Sequence, residues 1–297
     1  MLAMEKDRGN DREAARIASA AARVAGAGQP GWLKALEAEY ARRARRTTAA
    51  VRLVQLLLLA GMLVLWEAAG RNGWIDPLLF SYPSKIFTYL GTTAADGTLW
   101  PHLLTTVTET VSGFVLGTLL GAGLAALLWR VPFLSRVLDP YMVVLNSMPK
   151  VALGPILIVG LGPGYLSIVA TALSVTVIIT TLVIYNRFRE IDANYVKVVR
   201  LFGGTRAQVF RFAILPASFP AIVSALKVNV GLAWIGVIVG EFLTAKRGLG
   251  YLIIYGFQVF NFTLVLSSLM VIAVVAAAMY RLVSALESWL TSGWRER

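Results

Sequence analysis

The chain contains no cysteine and only one histidine, His102, among its 297 residues. Without cysteine there is no disulfide framework, no thiolate metal site and no cysteine nucleophile. A single histidine also excludes the histidine clusters that bind zinc. No Gly-x-x-x-x-Gly-Lys-Ser/Thr loop occurs, and the glycine-rich stretch 160–164 lacks the lysine that follows in phosphate-binding loops. We therefore predict no catalytic residues, no metal, no cofactor in this chain and no enzymatic activity.

Acidic residues are scarce, with 16 Asp and Glu against 28 Lys and Arg and a net charge of +12. Hydrophobic residues make up 57% of the chain, and the mean hydropathy is +0.69. Several apolar runs reach about 20 residues, the length that crosses the hydrocarbon core of a bilayer. The composition predicts an all-α, polytopic membrane protein, whose basic residues set topology and meet lipid headgroups rather than nucleic acid.

Six apolar segments predict six transmembrane helices, which place both termini on the same side of the membrane. That side carries 22 Lys and Arg residues and the opposite side carries four. Because positively charged loops stay in the cytoplasm, we expect both termini to be cytoplasmic. The six predicted spans are 51–70, 102–129, 138–161, 165–185, 221–239 and 262–286.

The segments outside these spans divide the chain further. Residues 1–50 are predicted to form a cytoplasmic extension with a helix over 11–24 and a second helix from Trp32 to about Arg46. An apolar stripe beside clustered arginines is typical of a helix lying in the membrane interface; the alternative is a charged extension that docks on nothing. The other predictions are a transmembrane domain over 51–290, a tail over 291–297, a short interfacial helix over 83–90 and a partly re-entrant or interfacial segment over 241–261.

Glycines recur at four-residue spacing on two of the predicted spans. Such small-xxx-small patterns let neighbouring helices approach closely. We expect this close packing to occur within one subunit rather than at a dimer seam. The glycines are Gly113, Gly117 and Gly121 on the second span and Gly236 and Gly240 on the fifth.

The longest polar interruption between apolar segments runs from Asp192 to Pro220, and its first half predicts a capped helix. The Asp192 carboxylate can accept from the free N–H groups of a helix over 193–202. Gly203 and Gly204 then end that helix, because glycine adopts the left-handed conformation that a helix end requires.

The second half of this loop predicts another helix at an angle to the first. Thr205 and Gln208 have the spacing of a capping box, which starts a helix. Pro216 lacks a backbone N–H and disfavours helix before it, so we expect this helix to end near Leu215. Because the helices of this loop have defined start and stop signals, we expect the loop to bind a partner.

The stretch KVVRLFGGTRAQVFRFAILP (197–216) is similar to the cytoplasmic loop signature of the integral-membrane subunits of bacterial ABC importers. That signature reads Glu-Ala-Ala, three residues, Gly, nine residues, Ile-x-Leu-Pro. With Leu215 and Pro216 aligned, Gly203 takes the glycine position, while Lys-Val-Val replaces Glu-Ala-Ala at 197–199. The stretches 81–90, 146–164 and 234–253 also resemble the nitrate, sulfonate, taurine and bicarbonate group of these permeases.

The resemblance implies the fold of a type I ABC importer permease in a bacterial inner membrane. It also implies a second copy of the chain, two ATPase subunits that bind ATP and Mg, and an external substrate-binding protein. The loop 188–219 would be the coupling helix region that sits in a cleft of the ATPase. We expect Arg206, Gln208, Phe210 and Arg211 to face that ATPase. The full set of candidate coupling residues is Gly203, Thr205, Arg206, Gln208, Phe210, Arg211, Leu215 and Pro216.

Polar groups inside apolar segments are candidates for a translocation path. A charge in the bilayer must face protein or water rather than lipid, and a broken helix often lines a cavity. The candidates are Pro149, Lys150, Lys227, Asn229 and Glu241. Two lysines on such a path would favour an anionic substrate. In the alternative, Lys227 reaches the interface and Lys150 pairs with Asp139 or with backbone carbonyls.

The sequence thus predicts a permease subunit of an ATP-driven importer for a small solute, expected to be an anion such as a sulfonate, taurine, nitrate or bicarbonate. Two alternatives within transport stay open: an importer of a vitamin precursor and a secondary transporter driven by an ion gradient. A secondary transporter would need coupling carboxylates in mid-membrane. A membrane-anchored scaffold would not need a broken third span.

Overall fold

A computed structural model describes residues 31–292, with side chains from residue 47 onward except Thr48. The helix predicted over 11–24 and most of the predicted tail lie outside the described residues. Within them the chain is predominantly helical, with short turns and loops between the helices and without a strand. The described residues fall into two compact units, 31–65 and 66–292. The helices are α1 Gly31–Arg71, α2 Pro83–Ala95, α3 Leu99–Arg130, α4 Pro132–Ser147, α5 Gly154–Leu161, α6 Tyr165–Glu190, α7 Ala193–Leu201, α8 Arg206–Val209, α9 Leu215–Thr244, α10 Leu249–Gln258 and α11 Phe262–Ser292.

Helix α1 runs without interruption through the position where the sequence predicted an end. The prediction of a separate helix ending near Arg46 is wrong, because the helix continues to Arg71. Residues 46–50 read RTTAA and contain neither glycine nor proline, so nothing there terminates the helix. Only its second part, Ala49–Arg71, is apolar enough to cross a membrane.

Five helical segments of the described residues are long and apolar enough to span a membrane, and a sixth span is possible if a bent pair counts as one. The all-α, polytopic class is therefore confirmed. The bent pair is α4 with residues 150–161, where the chain turns by 95° after Ser147. Pro149 lies at this break, as predicted. Pro155 does not interrupt a helix; it lies in the first turn of α5, where the missing N–H leaves no bond unmade.

Helix α6 lies between α3 and α9, and small residues allow the close approach on both sides. A Cβ built on Gly117 of α3 would lie 2.0 Å from the Thr176 Oγ1 atom. One built on Gly236 of α9 would lie 2.4 Å from the Ala172 Cα atom. Gly113, Gly121 and Gly240 have similarly close neighbours on α6. The predicted packing of these glycines within one subunit is confirmed.

The segment between α1 and α3 is fastened by polar contacts. Glu67 near the end of α1 accepts hydrogen bonds from the Ser84 N–H, at 2.9 Å, and the Ser84 hydroxyl, at 2.6 Å. Ser81 is buried with a positive φ of 47° and shares a hydrogen bond with Thr263 on α11. The short helix predicted from Pro83 is present as α2, and the predicted segment over 241–261 contains the ten-residue helix α10.

Candidate functional site

The loop between α6 and α9 is capped as the sequence predicts. The Asp192 carboxylate accepts from the Asn194 N–H at 2.8 Å and begins α7. Gly203 has a φ of 76°, the left-handed conformation expected after the helix. The Thr205 hydroxyl accepts from the Gln208 N–H, while the Gln208 side chain accepts from the Thr205 N–H at 2.7 Å. These local bonds cap α7 and the helical segment that begins at Arg206.

Pro216 does not end the second helix of this loop. The prediction of an end near Leu215 is wrong, since the segment Arg206–Thr244 is one continuous helical span. A proline inside a helix clashes with the carbonyl four residues earlier and lacks a donor. Here a π-helical turn, Phe210–Ile214, precedes the proline, and its wide spacing lets the Leu215 N–H bond to the Phe210 carbonyl.

One face of the loop packs into the membrane domain through a hydrophobic cluster. Val209 and Ile214 are buried there with Ile184 and Phe188 of α6. The Phe210 ring is half-buried in the same cluster, with its centroid 5.1 Å from that of Trp129 and 5.4 Å from that of Phe188. Phe210 therefore faces α3 and α6, rather than the outer side on which the sequence interpretation placed it.

The outer side instead presents an apolar pair that the sequence reasoning missed. The exposed fraction is 85% for Leu201 and 88% for Phe202, the last residues before the Gly203 turn. Val196 and Val199 of the same helix pack against the hydrophobic cluster. Leu201 lies two residues beyond Val199, about 200° around a helix, and so points away from the cluster. This angular offset follows from the residue spacing alone, so the outward direction of Leu201 could have been predicted from the sequence.

The other candidate coupling residues divide by their contacts. The Arg206 guanidinium donates to the Trp129 carbonyl at 2.7 Å and lies 5.2 Å from the centre of that ring. The Arg211 guanidinium lies over the Phe212 ring. Thr205 and Gln208 are occupied by capping, and Leu215 and Pro216 begin α9. Gly203, Thr205, Arg206, Gln208, Arg211 and Leu215 are exposed, and Pro216 is half-buried.

Two of the candidate path residues are buried among partners of their own. Asn229 on α9 is 1% exposed; it accepts from the Thr180 hydroxyl and donates to the Thr118 hydroxyl, both at 2.9 Å. Glu241 is also 1% exposed and accepts from the Thr106 hydroxyl at 2.7 Å and the Gly250 N–H at 2.5 Å. These groups join helices to one another.

The two lysines differ in their surroundings. Lys227 on α9 forms an ion pair with Glu287 of α11, and Glu287 also accepts from the Ser224 hydroxyl. Lys150 beside the Pro149 break donates to the Asn146 carbonyl at 2.7 Å, which matches the backbone-carbonyl alternative. The structure thus does not bring the five candidate path residues into one site. Among the described residues there is also no group of three or more histidine, aspartate and glutamate side chains placed to hold a metal ion.

Comparisons with known proteins agree with this architecture. The chain is 26% identical to the taurine transport system permease protein of Escherichia coli over 241 residues, covering 78% of this chain and 86% of that protein. It is 28% identical to the riboflavin transport system permease protein of Chloroflexus aurantiacus, covering 80% and 87%. A methionine ABC transporter in an inward-facing conformation shares the fold, with a TM-score of 0.55 at 22% identity over 66% of this chain and 95% of that one.

These similarities confirm the resemblance to ABC importer permeases of the taurine and sulfonate group. They favour an ATP-driven importer over a secondary transporter. Residues 113–295, more than half of the chain, match a family described as the inner membrane component of binding-protein-dependent transport systems. The chain belongs to this family of transport permeases.

Proposed function

We propose that two copies of this chain form the translocation path of an ATP-driven importer, and that the loop 188–219 couples the path to two ATPase subunits. ATP and Mg²⁺ bind to those subunits, and an external binding protein delivers the solute. The observation that carries the coupling role is the exposed pair Leu201 and Phe202 on a loop whose helices are capped on both sides of Gly203.

An exposed apolar pair at a polar loop indicates a protein contact. Burying apolar surface stabilises a complex by about 25 cal/mol per Å², so two such side chains left in water forgo that stabilisation. The loop is held to α3 and α6 by the hydrophobic cluster around Phe210. A displacement of Leu201 and Phe202 by a bound ATPase would therefore also move these membrane helices. Coupling therefore needs both faces of the loop, with Leu201 and Phe202 outside and Phe210 inside.

Substitution of the outer pair tests the coupling role. In membranes that contain all subunits, Phe202→Asp should abolish co-purification of the ATPase while leaving insertion and yield of the chain unchanged. Phe260→Asp is the control, because Phe260 is a similarly exposed aromatic residue (76%) in the turn between α10 and α11. Full recovery of the ATPase with Phe202→Asp would exclude this pair as the contact.

We infer that the imported solute is a small anion of the sulfonate type. The support is the similarity to a taurine permease and to two aliphatic sulfonate permeases. A vitamin precursor is the second candidate, favoured by the similarity to a riboflavin permease. Uptake into vesicles that contain the full importer, measured with labelled taurine and labelled riboflavin, distinguishes the two. Uptake of riboflavin alone would overturn the anion proposal.

A further inference from the structure

A cavity of about 450 Å³ opens beside the loop 188–219, the coupling loop of the proposal above, and its wall includes the Trp129–Arg206 contact already described. It lies where α3 ends, α4 begins and α6 approaches its last turn. Trp129, Pro132, Ser135 and Tyr185 form part of its wall. The wall therefore combines two amphipathic aromatic rings with polar groups, a composition found at the level of lipid headgroups.

Three arginines line this cavity: Arg136 from α4, Arg189 from α6 and Arg206 from the coupling loop. Asp139 is the one acidic residue in the wall, so the lining carries a net charge of +2. The ion pairs of the described part of the chain join Arg71 to Glu67, Arg187 to Glu190 and Lys227 to Glu287, and none involves the three cavity arginines. Their charges are not neutralised by a contacting carboxylate in that part of the chain.

Two of the three arginines, Arg206 and Arg189, are also held in place by neighbouring groups. The Arg206 guanidinium is fixed by the Trp129 carbonyl and ring. The Arg189 guanidinium lies 5.8 Å from the centre of the Tyr185 ring, and the Tyr185 hydroxyl is bonded to the Ser135 hydroxyl. Guanidinium groups present several N–H donors in a planar fork, which matches the oxygens of a phosphate group.

From this geometry we propose that the cavity binds a phosphate group, with Arg136, Arg189 and Arg206 as its ligands. The side of the membrane with most basic residues faces anionic lipids of the cytoplasmic leaflet, so the headgroup of an anionic phospholipid is one source. Free phosphate is the other. Because Arg206 belongs to the coupling loop, an occupied cavity would join that loop to α4 and α6 and brace it against the membrane domain.

The test uses the full chain purified with the subunits that remain bound to it, and compares the double variant Arg136→Ala/Arg189→Ala with Arg187→Ala. Arg187 is the matched control, because it has the same charge near the same end of α6 but pairs with Glu190 and does not line the cavity. Native mass spectrometry counts the phosphatidylglycerol retained from nanodiscs that contain phosphatidylglycerol and phosphatidylcholine. In parallel, the melting temperature is measured with added phosphatidylglycerol, with inorganic phosphate and with chloride at equal ionic strength.

We expect the wild type and Arg187→Ala to retain phosphatidylglycerol and to melt at a higher temperature with it, and the double variant to bind it on the order of tenfold more weakly. If inorganic phosphate produces the arginine-dependent rise and the lipid does not, the phosphate site stands and its source is soluble. Equal lipid and phosphate responses in both variants would overturn the proposal. So would loss of the ATPase from the double variant without any change in these responses, because the arginines would then bind a protein.

Discussion

Gly117 determines how closely α3 approaches α6. A Cβ at this position would lie 2.0 Å from the Thr176 hydroxyl oxygen, well inside van der Waals contact. Thr176 is itself buried and bonded to the Ala172 carbonyl, so it cannot turn away without loss of that bond. The close packing of α3 against α6 therefore requires glycine at position 117.

We expect Gly117→Leu to separate α3 from α6. Overpacking of a core costs roughly 1–3 kcal/mol, and we expect the loss of stability to be at least that large. Gly123→Leu is the control, because Gly123 lies on the same helix with no atom within 4 Å of its Cβ position. Thermal unfolding in detergent, followed by size-exclusion chromatography, measures the difference. Equal melting temperatures for the two variants would show that this approach does not limit stability.

A second cluster at the residue scale joins Glu241 of α9 to Glu109 of α3. Both carboxyl groups are buried, and they lie against each other. The Glu241 carboxyl also receives the Thr106 hydroxyl and the Gly250 N–H, and one oxygen of Glu109 has no hydrogen-bond partner in the described structure.

This arrangement predicts different tolerances for the two glutamates. Glu109→Gln should leave stability nearly unchanged, because its amide can donate to Glu241. Glu241→Leu should be destabilising, since it leaves the buried Gly250 N–H without its acceptor at a cost of roughly 1–3 kcal/mol and removes one of the two acceptors of the Thr106 hydroxyl. Melting temperatures of the purified variants measure both effects. A loss with Glu109→Gln as large as that with Glu241→Leu would contradict this difference in bonding.

Sequence reasoning identified some of the polar residues inside the spans but not their partners. Asn229, Lys227 and Glu241 stand out because polar groups are costly in a bilayer. Their partners lie on other helices, at Thr118 and Thr180 for Asn229 and at Glu287 for Lys227. Such pairs depend on which helices pack together, which neither hydropathy nor spacing specifies. A single sequence therefore does not distinguish a polar residue that lines a translocation path from one that joins packed helices.

At the scale of elements, the local signals of the coupling loop predicted its caps correctly. Asp192, Gly203 and the Thr205–Gln208 pair act through bonds between residues at most three positions apart. The same reasoning failed at Pro216, because the proline rule assumes an unbroken α-helical ladder. The π-helical turn before the proline changes the hydrogen-bond pattern of that helix, and no local sequence pattern predicts such a turn.

Gly203 provides a test of the loop as an element. Gly203→Ala places a Cβ in the left-handed region, which costs about 1–2 kcal/mol, and should redirect Leu201 and Phe202. Asparagine tolerates this conformation better, so Gly203→Asn should retain more activity. Substrate-stimulated ATP hydrolysis by the reconstituted importer should fall with alanine and remain largely intact with asparagine. If both variants are fully active, the left-handed turn is not required for coupling.

For the whole molecule, the charge distribution makes the orientation in the membrane testable. With 22 basic residues on one side and four on the other, the loop around Glu190 is expected in the cytoplasm and the turn around Trp74 outside. Both residues are exposed, with 68% of Trp74 and 63% of the Glu190 side chain accessible. Because the chain has no cysteine, single cysteines can be introduced without removing any.

In intact cells, Trp74→Cys should react with a membrane-impermeant maleimide, while Glu190→Cys should react only after the membrane is permeabilised. The unsubstituted chain, which has no thiol, is the background control. This pattern would place the coupling loop on the side where ATP is available. The reverse pattern would put Leu201 and Phe202 outside the cell, where no ATPase subunit could reach them. The coupling proposal would then fail together with the cytoplasmic lipid source of the arginine cavity, whereas the fold and the family would stand.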